Sequence, residues 1–424
     1  MLPGMASLMQ IAGSVTVVAL FILLLTSAAA AEEQTGKVLV AVYAAGGSLE
    51  TDYGLITEDI TQMVTGAANT TPQTLELLVA YGGSARPGWQ GMTIANRSGL
   101  AHDLADGRLG NRTDAVAWYP DASMGNASTV GTFLRTIRAG YRYDRVFLIL
   151  IGHGEAYTGM LFDQNHKEDP LTTAELVKGL EIGGFNVEVI GLDTCLMSTL
   201  EVASRLSGYS RYMIASEESE PAEGWRYDSF ISGLVKNPDA PVSDIGRSLL
   251  ETYLANPAQG KTLSVLDLDE AGVVTASLDR LSKLLLPLLD TPEGYRSLAD
   301  AFNKTQQFGL TSEGVLDPAT MDLIGFAEEI NRIDPGLEGP SDDLINATKA
   351  MVILSGHDDR VPGAKGLAIL SPVQINPGFY QYYHDEAFIT PSWDRLLARY
   401  LEITDQVDPA HLRSEKNETR EMPQ

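Results

Sequence analysis

The first half of the chain alternates short apolar runs with stretches of helical spacing. Residues 38–44 (VLVAVYA) are continuously apolar and stop at Gly46-Gly47, which predicts a strand buried on both faces. Residues 55–67 have helical spacing and 75–80 predict a second strand. Residues 82–126, rich in Gly, Asn, Asp and Arg without a sustained period, predict an irregular excursion containing a hairpin. Val130, Phe133, Leu134 and Ile137 mark a helix over 129–139, and RVFLILI (145–151) predicts a strongly buried strand. A helix over 172–180 leads to the strand VEVIGL (187–192), followed by a helix over 199–206 and a strand over 212–215. Beyond about residue 270 the spacing turns helical, over 278–289, 295–308 and 321–333, before a strand-like run at 364–372. Strands buried on both faces and separated by helices require parallel pairing with right-handed crossovers. The fold class is therefore α/β: a mostly parallel central sheet with helices on both faces, plus a more helical C-terminal region.

Such sheets carry their chemistry at the carboxyl ends of the strands. There RVFLILI runs into Gly152-His153-Gly154, and VEVIGL runs into Asp193-Thr194-Cys195. If those strands are neighbours, the only cysteine of the chain meets a histidine on one rim. An imidazole beside a thiol can take its proton during attack, because its pKa lies near working pH. Gly154 lacks a β-carbon, so a substrate carbonyl can approach its amide; with the amide of Cys195 it would form an oxyanion hole. On spacing alone a packed, inert cysteine and a structural histidine remain the competing reading.

Composition narrows the setting. At 44% apolar residues the chain can bury a large core, while 56 acidic against 30 basic side chains, a net charge of -26, argue against nucleic-acid partners. Residues 11–30 are uncharged and end in small residues before Glu32 and Glu33, which reads as a secretory signal within 1–31; an uncleaved N-terminal membrane anchor over 12–31 is the alternative. Either exports the remainder, to a secreted or cell-surface location. Seven Asn-X-Ser/Thr triplets begin at Asn69, Asn96, Asn111, Asn126, Asn303, Asn346 and Asn417, where chance placement gives about two; they predict glycans on exposed loops. His357-Asp358-Asp359 and His384-Asp385-Glu386 lack metal-site spacing and read as loop polarity. The organisation expected is a catalytic domain over 37–265, a packing region over 266–404 and a polar tail over 405–424.

The segments LIGHGEA and GLDTCLMSTLEVA, followed by YMIASEESEPAEGWRYDSF, resemble the clostripain-like cysteine peptidases, family C11 of clan CD, relatives of caspases, legumains and gingipains. VLVAVYAAGGSLE, SMGNASTVGTFL, MDLIGFAEEI and GLAILSPV extend the resemblance over roughly 37–400. It implies a caspase-like layered sandwich, His153 as general base and orienter, and Cys195 as the acyl-forming nucleophile. Asp193 matches the family's acidic residue two before the cysteine, in the pocket for the residue on the acyl side of the cut, where several members prefer Arg or Lys. Glu220 and Glu223 are further candidates for that pocket, with plain solvation as the alternative.

Departures from the family pattern are Glu155-Ala156 after Gly154, which put a carboxylate beside the expected substrate channel, and Gly47 where members commonly carry Asp. Lys167 and Lys178 fit self-cleavage after a basic residue, which some relatives use for maturation. No cofactor is required by the sequence; the resemblance alone leaves calcium open, and no ligand set for it is legible. Peptide or protein substrates are the expected partners, and the oligomeric state is left open. The expected function is an exported cysteine endopeptidase cutting after Arg or Lys; the alternative is a non-catalytic surface module that keeps the fold and binds peptides.

Overall fold

The computed structural model describes residues 34–258, 260–310, 316–373, 375, 377–387 and 389–404. The expected signal or anchor, Asn417 and the polar tail lie outside these residues. Among the described residues no helix is long and apolar enough to cross a membrane.

In chain order the strands are β1 (Gln34–Ala45), β2 (Leu75–Gly82), β3 (Met92–Asn96), β4 (Ala117–Tyr119), β5 (Tyr141–Ile151), β6 (Met160–Asp163), β7 (Asp169–Leu171), β8 (Val187–Asp193), β9 (Ser210–Ala215), β10 (Thr262–Asp267), β11 (Gln307–Leu310), β12 (Leu316–Asp322), β13 (Val352–His357) and β14 (Ala368–Leu370). Nine of them form one sheet in the order β13-β10-β9-β8-β5-β1-β2-β3-β4. Its centre, from β2 to β9, is parallel, and antiparallel strands finish both edges. β1 shows why the apolar runs are unbroken. Leu39, Ala41 and Tyr43 enter the core on one face and Val38, Val40 and Val42 the core on the other, so no position is left for a polar side chain.

Helices Leu55–Gly66, Tyr227–Lys236 and Val242–Leu254 cover one face; Ala127–Gly140, Thr173–Gly183 and Leu200–Leu206 cover the other. Thr172 starts one of them through a reciprocal capping box with Glu175. The C-terminal helices add an aromatic cluster in which Phe302 and Phe326 stack at 5.1 Å and Trp393 meets Phe326 edge-on.

Three expectations are corrected. The excursion over 82–126 contains a helix, Arg97–Ala105, capped by Asn96 Oδ1 on the amide of Gly99. The boundary drawn at 265 falls inside β10, and β13 of the C-terminal region joins the main sheet beside it. The run over 364–372 is a strand only at Ala368–Leu370. Of the glycan candidates, Asn69 and Asn111 are exposed and non-helical, Asn96 and Asn126 are helix N-caps, and Asn303 and Asn346 lie on the outer faces of helices rather than in loops. His357 and His384 join no cluster that could hold a metal among the described residues.

Candidate active site

β5 and β8 are parallel neighbours with Ile151 opposite Asp193, and the amide of Gly152 reaches Asp193 O at 3.4 Å. Two residues further along each strand, this register brings His153 and Cys195 to the same rim. The backbones are so close there that a β-carbon on Gly154 would stand 2.5 Å from Cys195 O and 2.9 Å from Cys195 N. Only glycine fits, which explains the Gly after the histidine. Among the described residues the amides of Gly154 and Cys195 donate to no main-chain acceptor, as an oxyanion hole requires. Leu196 adopts a left-handed backbone, φ 65°, to turn the chain under the thiol. Its amide is held by Glu218 O and that of Ser198 by Ser216 O, so neighbouring bonds sustain a conformation that costs of order 1 kcal/mol.

His153 and Cys195 line one cavity of about 190 Å³ together with Asp193, Glu220 and Asp59. They make no direct hydrogen bond. Nε2 of His153 bonds Ser48 Oγ at 2.8 Å, and the amide of Glu220 donates to Cys195 Sγ at 3.2 Å. Burial lowers the pKa of His153 and raises that of Cys195. Both are therefore neutral near pH 7, and the resting site holds a thiol and an imidazole rather than an ion pair. Alkylation of Cys195 by iodoacetamide should accordingly keep rising with pH above 8; a rate that plateaus at neutral pH would refute this.

The acidic wall has a specific construction. Asp193 Oδ2 accepts from Tyr227 OH at 2.6 Å and from the amide of Trp225 at 3.3 Å, while burial still raises its pKa. Both oxygens of Glu220 are buried beside the Asp193 carboxyl, and burial plus the Asp193 charge push its carboxyl well up. Asp59 is a member of the wall that sequence reasoning misses. It is 4% exposed, has no hydrogen-bond or ion-pair partner among the described residues, and burial and Asp193 hold its pKa well above the usual range. A sequence signal exists: Asp59 sits three after Ile56 and four before Met63, on the apolar stripe of its helix. Glu223 is exposed and lines an adjoining concavity of about 530 Å³ that also touches Asp59; it does not face Cys195. The Glu155 carboxylate turns to Thr158 Oγ1 at 3.3 Å and does not line the cavity, contrary to the channel position expected for it.

The clostripain family model matches residues 42–338. Among solved structures, the chain is similar to a secreted C11 cysteine protease from Bacteroides thetaiotaomicron in complex with an irreversible peptide inhibitor: TM-score 0.61, 16% identity, covering 85% of this chain and 99% of that one. It is similar also to an inactive zymogen C11 protease from Parabacteroides distasonis, with TM-score 0.58, 16% identity and coverage of 84% and 96%. No curated protein matches.

Proposed function

Since the chain belongs to the clostripain family and is a cysteine peptidase, we propose that His153 and Cys195 are its catalytic pair and that it cuts peptide bonds after Arg or Lys. The observation that carries this reading is one cavity holding both side chains and three buried carboxylates, Asp59, Asp193 and Glu220. Buried carboxylates are costly to ionise without a nearby cation, and a cationic substrate side chain supplies that countercharge.

The chemistry balances with these residues alone. His153 takes the Cys195 proton as Sγ attacks the scissile carbonyl, and the amides of Gly154 and Cys195 receive the oxyanion. The imidazolium passes that proton to the leaving amine as the C–N bond breaks, giving a thioester. Water, deprotonated by His153, hydrolyses the thioester and restores the thiol. The amide of Glu220, already on Sγ, supports negative charge there.

The cleft between the two side chains favours turnover over the non-catalytic alternative. Export is part of the proposal and rests on the apolar start and the dense sequons. If the chain matures by self-cleavage after a lysine, Lys167 suits it better than Lys178. Lys167 is exposed in a turn where it and Glu168 both have positive φ, whereas Lys178 lies in a helix paired with Glu181.

Fluorogenic peptides ending in Arg, Lys and Asp test the specificity. Arg or Lys substrates are expected to exceed the Asp substrate at least about 100-fold in kcat/KM. Equal turnover of all of them would overturn the assignment of the acidic wall.

A further inference from the structure

Resting on the assignment of His153 as the acid–base group, we propose that Ser48 is the positioning residue that holds the His153 ring in its working orientation. Ser48 Oγ lies 2.8 Å from Nε2. That leaves Nδ1 as the ring nitrogen without a partner among the described residues, on a side chain that lines the Cys195 cavity. Histidines that move protons are oriented by the bond their other nitrogen makes.

The turn that presents Ser48 is heavily anchored. It follows β1, which pairs with β5 up to Ala44 opposite Ile151, so both partners leave adjacent strands. Gly47 lies against the ring with φ at +47°, and a β-carbon on it would stand 3.6 Å from His153 Cδ2. Behind it Glu50, fully buried, accepts from Thr57 N at 2.9 Å and Thr57 Oγ1 at 2.7 Å and pairs with Arg86. Thr51 Oγ1 meets Ser84 Oγ and Gln164 Oε1, each at 2.6 Å. A buried carboxylate would destabilise this turn were it not paired, so the turn is held in one geometry by interactions that never touch the cavity.

A hydroxyl suits the task. It accepts from Nε2–H when the ring is neutral with its lone pair on Nδ1, and again when Nδ1 is protonated. The proton can therefore come and go without loss of the orienting bond. Being uncharged, it does not raise the imidazole pKa as a carboxylate in its place would. The titratable groups around the same cavity are Cys195, Asp193, Glu220 and Asp59.

The test compares Ser48→Ala, Ser48→Thr and Ser48→Asp with the parent enzyme on an Arg- or Lys-ended peptide, with iodoacetamide labelling of Cys195 as the folding control. Ser48→Ala should lower kcat about 10- to 100-fold with KM within about twofold and labelling unchanged, and Ser48→Thr should restore most of it. Ser48→Asp should move the acidic limb of the kcat/KM profile to higher pH by about one unit or more. Full kcat in Ser48→Ala overturns the proposal, as does a loss that Thr does not restore combined with an unmoved acidic limb in Ser48→Asp. If His153→Ala itself keeps full turnover, the catalytic reading fails first, which separates the two outcomes.

Discussion

Cys195→Ala should abolish peptide turnover, lowering kcat by about 10⁴-fold or more, while the protein stays folded. The size follows from the chemistry: alanine offers no atom to form the thioester, and what remains is the background of binding and the amides of Gly154 and Cys195. The structural cost is small. The variant loses two bonds on a half-buried side chain, from the amide of Glu220 to Sγ at 3.2 Å and, more weakly, from Sγ–H to Glu220 O at 3.9 Å. Breaking them costs about 1 kcal/mol, which in a chain of this size moves Tm by only a few degrees. Unchanged turnover in this variant would sink the catalytic assignment. Lost turnover together with a collapsed thermal transition would show that folding, not chemistry, had been measured.

Asp59→Asn should pull activity and stability in opposite directions. Asp59 has no hydrogen bond to lose among the described residues, so the substitution removes charge and little else. For a basic substrate kcat/KM should fall about 10- to 100-fold, and the double variant with Glu220→Gln should fall further. The free enzyme should become more stable, because an uncompensated buried carboxylate has been replaced by a neutral isostere. The sign with pH follows from linkage. Burial and Asp193 raise the native pKa of Asp59, so between about pH 4, its unfolded value, and that raised value the folded chain binds more protons than the unfolded chain. Stability contributed by this group is present at low pH and is lost as pH rises through that window. The gain in Tm for Asp59→Asn should therefore be larger at pH 8 than at pH 5. KM for a basic peptide should fall as pH rises, since the cation binds the ionised cavity. A variant with parental selectivity and no gain in Tm would remove Asp59 from the pocket.

Some of this organisation is open to reading in one dimension. VFLILI is an unbroken apolar run and VEVIGL is interrupted only by Glu188, which pairs with Arg145 at the strand starts, because β5 and β8 are buried on both faces beyond that point; each run ends where a Gly or Asp halts it. The rims carrying His153 and Cys195 can be placed from that pattern alone. The helix Arg97–Ala105 is hidden because its inward residues, Gly99, Leu100 and Asp103, give no apolar stripe; Asp103 is buried through the amides of Arg112 and Thr113, a partnership across a loop. β13 is hidden as an edge strand because its exposure alternates and its partner β10 lies far back in the chain.

The sequence by itself determined the layered α/β plan, the two strand ends and the residue types on them, because burial on both faces and abruptly ended apolar runs leave a local periodic trace. Only the tertiary structure decided which residues surround the thiol. It brought Asp59 in from a helix and Ser48 from the turn after β1, turned Glu155 away, and set Glu223 in the neighbouring concavity. Register and helix packing join positions far apart in the chain, and no local pattern of apolar and polar residues encodes such a meeting.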